Sequence, residues 1–153
     1  MTHGIVTAPQ PEAVEAGSII LKDGGNAVDA AISSALVQTV VDPMMCGIAG
    51  FGSLQLYIPE KNFHGFIDFH TTAPSSVKED MWEDQIAHEA RDGFGFILKN
   101  RANEVGYESI MTPGTLKGFY EAIQEFGTMP WADIIQPAID FAEEGFPIHP
   151  GQI

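Results

Sequence analysis

The chain has 153 residues, with 21 Asp and Glu against 7 Lys and Arg, giving a formal net charge of −14 at neutral pH. An acidic surplus of this size repels phosphate backbones and anionic lipid surfaces, which excludes nucleic acid and membrane surfaces as natural partners. A hydrophobic fraction of 44% is enough for a packed core and excludes wholesale disorder.

Pro9 and Pro11 punctuate the opening, and Glu12 to Lys22 then carries Val14, Ile19, Ile20 and Leu21 at helical spacing. Gly24-Gly25 stops that helix, because glycine tolerates the positive φ of a C-terminal cap. Asn26 is positioned as the N-cap of a second helix, with Asp29 in its first turn against the positive end of the helix dipole. The run Ala27 to Val41 is apolar nearly all round, which predicts a buried central helix ending before Pro43. Cys46-Gly47-Ile48-Ala49-Gly50-Phe51-Gly52 is a glycine-rich loop feeding a strand. Ser53 to Ile58 alternates, with Leu54, Leu56 and Ile58 on one face and Gln55 and Tyr57 on the other. Pro59 to Asn62 forms a turn and Phe63 to Phe69 a second strand, so the pair reads as an antiparallel hairpin.

After Thr71 to Pro74 leaves the sheet, Ser75 or Ser76 is expected to cap a short helix through Met81 and Trp82. Glu83 to Glu108 shows no sustained period and reads as a mobile or variable surface excursion. Ile110-Met111 is a short extended piece leading into Thr112-Pro113-Gly114. Thr115 to Phe126 predicts an amphipathic helix with Leu116, Phe119, Tyr120, Ile123 and Phe126 on its inner stripe and Gly127 as its stop. Pro130 starts a last helical region with Ile134, Ile135, Ala138, Ile139, Phe141 and Ala142 facing inward. Pro137 is expected to divide that region, because a mid-helix proline costs about 3 kcal/mol. Gly145 closes it.

The chemistry that these residues support is limited. The glycine-rich loop runs from helix to strand, whereas a phosphate loop runs from strand to helix, so a tight strand entry is the better reading. The single cysteine, Cys46, leaves no disulfide framework and no multi-cysteine metal site, and no nearby basic group activates it as a nucleophile. The histidines His3, His64, His70, His88 and His149 include no pair four residues apart, so no metal site is assigned. His70 stands out by its place where the second strand ends, with Asp68 two residues earlier on the same face. An ordinary, partly exposed histidine remains the alternative. Thr71 and Thr72 are internal, so neither has the free α-amine that an N-terminal nucleophile uses as its base. No basic segment followed by an apolar run opens the chain, and no apolar stretch is long enough to span a bilayer. A cytoplasmic location is expected, or a periplasmic or secreted one if a leader was removed.

Together these blocks carry a resemblance. Gly24-Gly25-Asn26-Ala27-Val28-Asp29-Ala30-Ala31 is similar to the G-G-N-A-[VI]-D-A-A signature near the start of γ-glutamyltranspeptidases. The loop Cys46 to Gly52 resembles that family's glycine-rich segment, and Thr72-Ala73-Pro74 its "-AP" motif after the second strand. Thr112-Pro113-Gly114-Thr115 resembles its V-P-G-T segment. Pro130-Trp131-Ala132-Asp133, Pro137-Ala138-Ile139 and Ala142-Glu143-Glu144-Gly145-Phe146-Pro147 follow in the family's order, so the likeness covers essentially the whole chain.

The resemblance implies a mixed α/β fold, part of the four-layer αββα sandwich of N-terminal-nucleophile hydrolases. It implies that residues 1–153 form the N-terminal portion of a large subunit, an incomplete domain. The implied partners are the remainder of that subunit, a small subunit carrying the nucleophilic threonine, and a small-molecule amide donor such as glutathione. No cofactor or catalytic metal is implied, and no catalytic residue lies in this chain, which alone is expected to be inactive. Where the family carries an arginine for the substrate's α-carboxylate, in D-[GF]-R-E-x-A-P, this sequence reads Asp68-Phe69-His70-Thr71-Thr72-Ala73-Pro74. His70 is therefore the candidate substrate-binding residue. Its smaller, pH-dependent ring replaces a permanent bidentate fork, so a related acylase or amidohydrolase with a non-glutamyl substrate is a competing reading. Arg91 and Arg101 match no family motif. A non-catalytic paralogue or partner subunit is the rival from another class.

Overall fold

The computed structural model describes residues 4–148 and 150–152, and the sequence-level interest in His3 and His149 lies outside them. The chain divides into two compact units, one made of residues 1–70 and 114–153 and the other of residues 71–113.

The first unit is built round two helices, α1 (Pro11–Lys22) and α2 (Ala27–Val41), packed side by side. In α1 the sequence stripe is only partly right. The buried face is Ala13, Ala16, Gly17 and Ile20, while Ile19 is exposed, because close approach to α2 selects small residues over large ones. A Cβ on Gly17 would lie 2.9 Å from the Ala30 carbonyl oxygen of α2, so the two helix backbones approach each other there. Gly24 takes the positive φ of +97° that ends α1.

α2 has its expected limits, and Ile32, Leu36, Val37 and Val41 are almost wholly buried. The antiparallel hairpin follows, β1 (Ser53–Ile58) against β2 (Phe63–Asp68), with Ser53 opposite Asp68 and Ile58 opposite Phe63. Leu54, Leu56, Ile58, Phe63 and Ile67 face the core, as the alternation predicts, and Gln55, Tyr57, His64, Phe66 and Asp68 face outward. α3 (Thr115–Phe126) packs on α2 and β2. Its inner stripe is Gly118, Phe119, Ala122, Ile123 and Phe126; Leu116 and Tyr120, expected inside, are exposed.

α4 (Trp131–Glu144) lies against α2 and corrects the expectation of two short helices, since it runs unbroken through Pro137. Ile134 and Ala138, on either side of the proline in sequence, are buried in the core. Burying a side chain such as Ile134 contributes about 1.5–3 kcal/mol, comparable to the roughly 3 kcal/mol that the proline costs. Tertiary packing here outweighs local preference.

The second unit differs from its sequence reading in two ways. Residues 74–83 form successive four-residue turns rather than a helix capped by Ser75 or Ser76. That stretch carries Lys78, Glu79 and Asp80 between its few apolar residues, so it has no apolar stripe to hold a helix in place. The aperiodic stretch also contains a small antiparallel hairpin, β3 (Ile86–Glu89) with β4 (Phe96–Leu98), joined by a turn in which Gly93 and Gly95 adopt positive φ. β3 is exposed along its whole length, which removes the alternation that would have marked it as a strand. Thr72 and Thr112 close the unit through a backbone bridge, with N–H to O distances of 3.3 and 3.0 Å.

The layers are thus helices on one face of a hairpin, a mixed α/β arrangement. No helix among the described residues is long and apolar enough to cross a membrane.

Candidate functional site

The site is the end of β2 in the first unit, and its parts are pinned from several directions. The Phe69 N–H donates to the Gly52 carbonyl at 3.1 Å, tying the strand end to the glycine-rich loop. The Gly50 carbonyl accepts from Gly114 N–H at 3.0 Å and from Thr115 N–H at 3.3 Å, so the loop also caps α3. Gly114 is required here, because a Cβ would lie 2.2 Å from the Phe69 carbonyl oxygen. Gly118 gives way in the same manner to the Phe69 ring, which meets Phe119 edge-on at 5.5 Å. Gly52 of the loop and Gly114 before α3 therefore serve close packing around Phe69, as the strand-entry reading expected.

This packing holds His70 in place. Strand alternation puts Asp68 and His70 on the same outer face, and both side chains are more than half exposed. The Asp68 Oδ1 accepts from the His70 backbone N–H at 2.9 Å and lies 2.8 Å from His70 Nδ1. The first bond is an Asx turn, in which a carboxylate closes onto the N–H two residues on. These bonds hold the Asp68 carboxyl below its ordinary value of 3.8, the backbone N–H of His70 contributing more than the ring. Phe51, from the glycine-rich loop, stacks on the imidazole at 5.1 Å with the rings tilted by 35°. Sequence reasoning had paired Asp68 with His70 but missed Phe51, whose place depends on how the loop folds back.

Beside the loop a cavity of about 570 Å³ opens, lined among others by Ala31, Gln38, Thr39, Phe69 and Thr115. The Thr115 hydroxyl is buried there without a hydrogen-bond partner.

Cys46 is half-buried, and its thiol donates to the Gln38 carbonyl at 3.3 Å. Burial, and then the negative charge of Asp42, push that thiol up, which keeps it protonated and unreactive. His64 packs edge-on against Tyr57 at 5.6 Å, and His88 lies exposed on β3 of the second unit. No three His, Cys, Asp or Glu side chains converge as a metal site among the described residues. Arg101 belongs to the second unit, where it pairs with Glu104 at 2.7 Å, and Arg91 is exposed there. Thr72 of that unit is exposed, and Thr71 is half-buried.

Comparison with known proteins places this arrangement in context. The γ-glutamyltranspeptidase family model matches residues 13–153. An Acylase ACY 1 proenzyme from Pseudomonas sp. (strain V22) is 41% identical over 152 residues, covering 97% of this chain and 26% of that protein. A glutathione hydrolase proenzyme from Bacillus subtilis (strain 168) is 36% identical over 145 residues, covering 95% of this chain and 23% of that protein. The chain thus spans about a quarter of the length of these relatives. Among solved structures, γ-glutamyltranspeptidase from Pseudomonas nitroreducens, complexed with L-DON, superposes with a TM-score of 0.82 at 32% identity. That match covers 99% of this chain and 42% of the other.

Proposed function

The chain belongs to the γ-glutamyltranspeptidase family, and from that premise we propose that it forms the N-terminal part of the large subunit of an enzyme acting on amide donors. The enzyme would move the γ-glutamyl group, or a related acyl group, of a donor such as glutathione to water or to an amine. The nucleophile would be a threonine at the new N-terminus of a small subunit, outside these 153 residues, with its own α-amine as base. Residues 1–153 would supply part of the sandwich and one wall of the donor pocket, where His70 contacts the end of the acyl group remote from the scissile amide. The observation that carries this reading is the family match over nearly the whole chain, joined to a span of about a quarter of its relatives.

A second reading, an acylase whose donor is not glutamyl, draws on a particular feature of the site. His70 occupies the place of the family's carboxylate-binding arginine, and one close relative is named an acylase.

The test separates the chain from the enzyme. Incubated alone with γ-glutamyl-p-nitroanilide, residues 1–153 should release no p-nitroaniline. Expressed as one precursor with the remainder of the large subunit and the small subunit, the protein should cleave itself and then turn over an amide donor. Turnover by the isolated chain would overturn this placement of the nucleophile, and a longer protein that neither cleaves itself nor turns over any amide would overturn the enzyme reading.

A further inference from the structure

We infer that Asp68 is a positioning residue that turns His70 into a hydrogen-bond acceptor, so that this wall of the donor pocket reads a hydrogen-bond donor such as an ammonium group and rejects a carboxylate. The inference rests on the proposal that the chain is part of an amide-acyl-transfer enzyme, and it names the donor chemistry of that site.

The argument begins with the proton between the two side chains. Asp68 Oδ1 lies 2.8 Å from His70 Nδ1. An ionised carboxylate only accepts hydrogen bonds, and Asp68 is ionised near neutrality because its carboxyl is held below 3.8. The proton therefore sits on Nδ1. In the neutral ring the other nitrogen, Nε2, is then an acceptor and has no proton to offer. A substrate carboxylate, itself only an acceptor, finds no hydrogen bond there. It also meets the negative charge of Asp68, whereas the family's arginine would present a positive fork.

A group with N–H or O–H to give finds the reverse. It can donate to Nε2, and an ammonium also gains from the nearby carboxylate. The ring cannot easily turn to offer its other edge. Phe51 covers it at 5.1 Å, and Asp68 Oδ1 is itself fixed by the His70 backbone N–H at 2.9 Å. The strand end beneath it is held by the close approach of Gly114 to the Phe69 carbonyl.

Two measurements test this, one on the chain and one on the enzyme. In ¹⁵N-labelled chain at pH 8, the imidazole nitrogen shifts of His70 should show the proton on Nδ1. In Asp68→Asn the side-chain amide can donate to Nδ1, so the proton should move to Nε2. A proton on Nε2 in the unaltered chain would overturn the inference. In the longer enzyme, the p-nitroanilides of γ-glutamate, of 4-aminobutyrate (ammonium without carboxylate) and of glutarate (carboxylate without ammonium) should be compared. The 4-aminobutyryl donor should have the highest kcat/KM, at least tenfold above the glutaryl donor, and His70→Arg should move the preference toward the carboxylate-bearing donors. A native preference for γ-glutamyl over 4-aminobutyryl would overturn the inference. Absence of turnover with all three, in a protein that also fails to cleave itself, would sink the amide-transfer reading instead, leaving the ring proton, read on the chain itself, to decide the role of Asp68.

Discussion

Asp29 shows what the glycine-asparagine signature does at the level of single residues. Its side chain is completely buried. The Asn26 N–H donates to its Oδ2 at 2.8 Å, while the Thr128 N–H reaches both oxygens at 3.0 and 3.1 Å and the Thr128 hydroxyl donates at 2.6 Å. Asn26 in turn accepts from the Val28 and Asp29 N–H groups and donates to the Phe126 carbonyl at 2.7 Å. The pair therefore caps α2 and at the same time locks the end of α3 to it, across about a hundred residues of chain. The sequence showed the cap but not the lock, because no local pattern announces a partner so distant. Asp29→Ala would strip that buried carboxylate and leave the half-buried Asn26 N–H and the donors of the exposed Thr128 without this acceptor. Losing hydrogen bonds to a charged group costs about 1.5–3 kcal/mol, and donors that water can reach regain part of it, so a loss of about 1–3 kcal/mol is expected in urea unfolding of the chain. A loss below about 1 kcal/mol would contradict this account of the motif. The signature is thus structural, whereas His70, the residue proposed to bear on substrate, lies elsewhere; strand alternation paired it with Asp68, and its proposed role comes from the family resemblance.

Among the elements, Gly118 of α3 links packing to the site. In an exposed helix interior Gly→Ala gains about 1 kcal/mol from propensity. Here the added methyl would lie 2.4–2.6 Å from Phe69 Cγ, Cδ1 and Cβ, atoms close to the backbone that cannot swing aside. Gly118→Ala is therefore expected to destabilise the chain by about 1–3 kcal/mol, the usual cost of overpacking. It should also shift the amide resonances of Phe69 and His70 in NMR; a more stable protein with unmoved resonances would refute the contact. The same elements show where sequence reading succeeds. α2, α3 and the β1–β2 hairpin follow their expected limits because apolar period, cap and turn residues agree. β3 and β4 escape it because strands of four and three residues with little burial leave no alternation to detect. α4 escapes it for the opposite reason, since burial of Ile134 and Ala138 overrides the one residue, Pro137, that argued for a break.

For the molecule as a whole, charge and exposed apolar surface oppose each other. In the first unit the loop after α2 leaves Met44 84% and Met45 81% exposed, and Phe51 is 62% exposed beside His70. Tyr57 and Phe66 add 73% and 59% on the outer face of the hairpin. Clustered apolar side chains of this kind mark surfaces that bind other protein, and in the proposed enzyme the rest of the polypeptide would cover them. In the isolated chain only the net charge of −14 holds copies apart. That repulsion reaches about 8 Å at physiological ionic strength and about 3 Å at 1 M salt, whereas the apolar attraction does not weaken with salt. Self-association should therefore rise with salt in size-exclusion chromatography with light scattering, the reverse of a complex held by ion pairs. Replacing Met45 and Phe51 by Asp should suppress it without loss of helicity, since neither side chain is buried in the core. A chain that stays monodisperse and monomeric from low to high salt would show that these side chains do not form a cohesive surface.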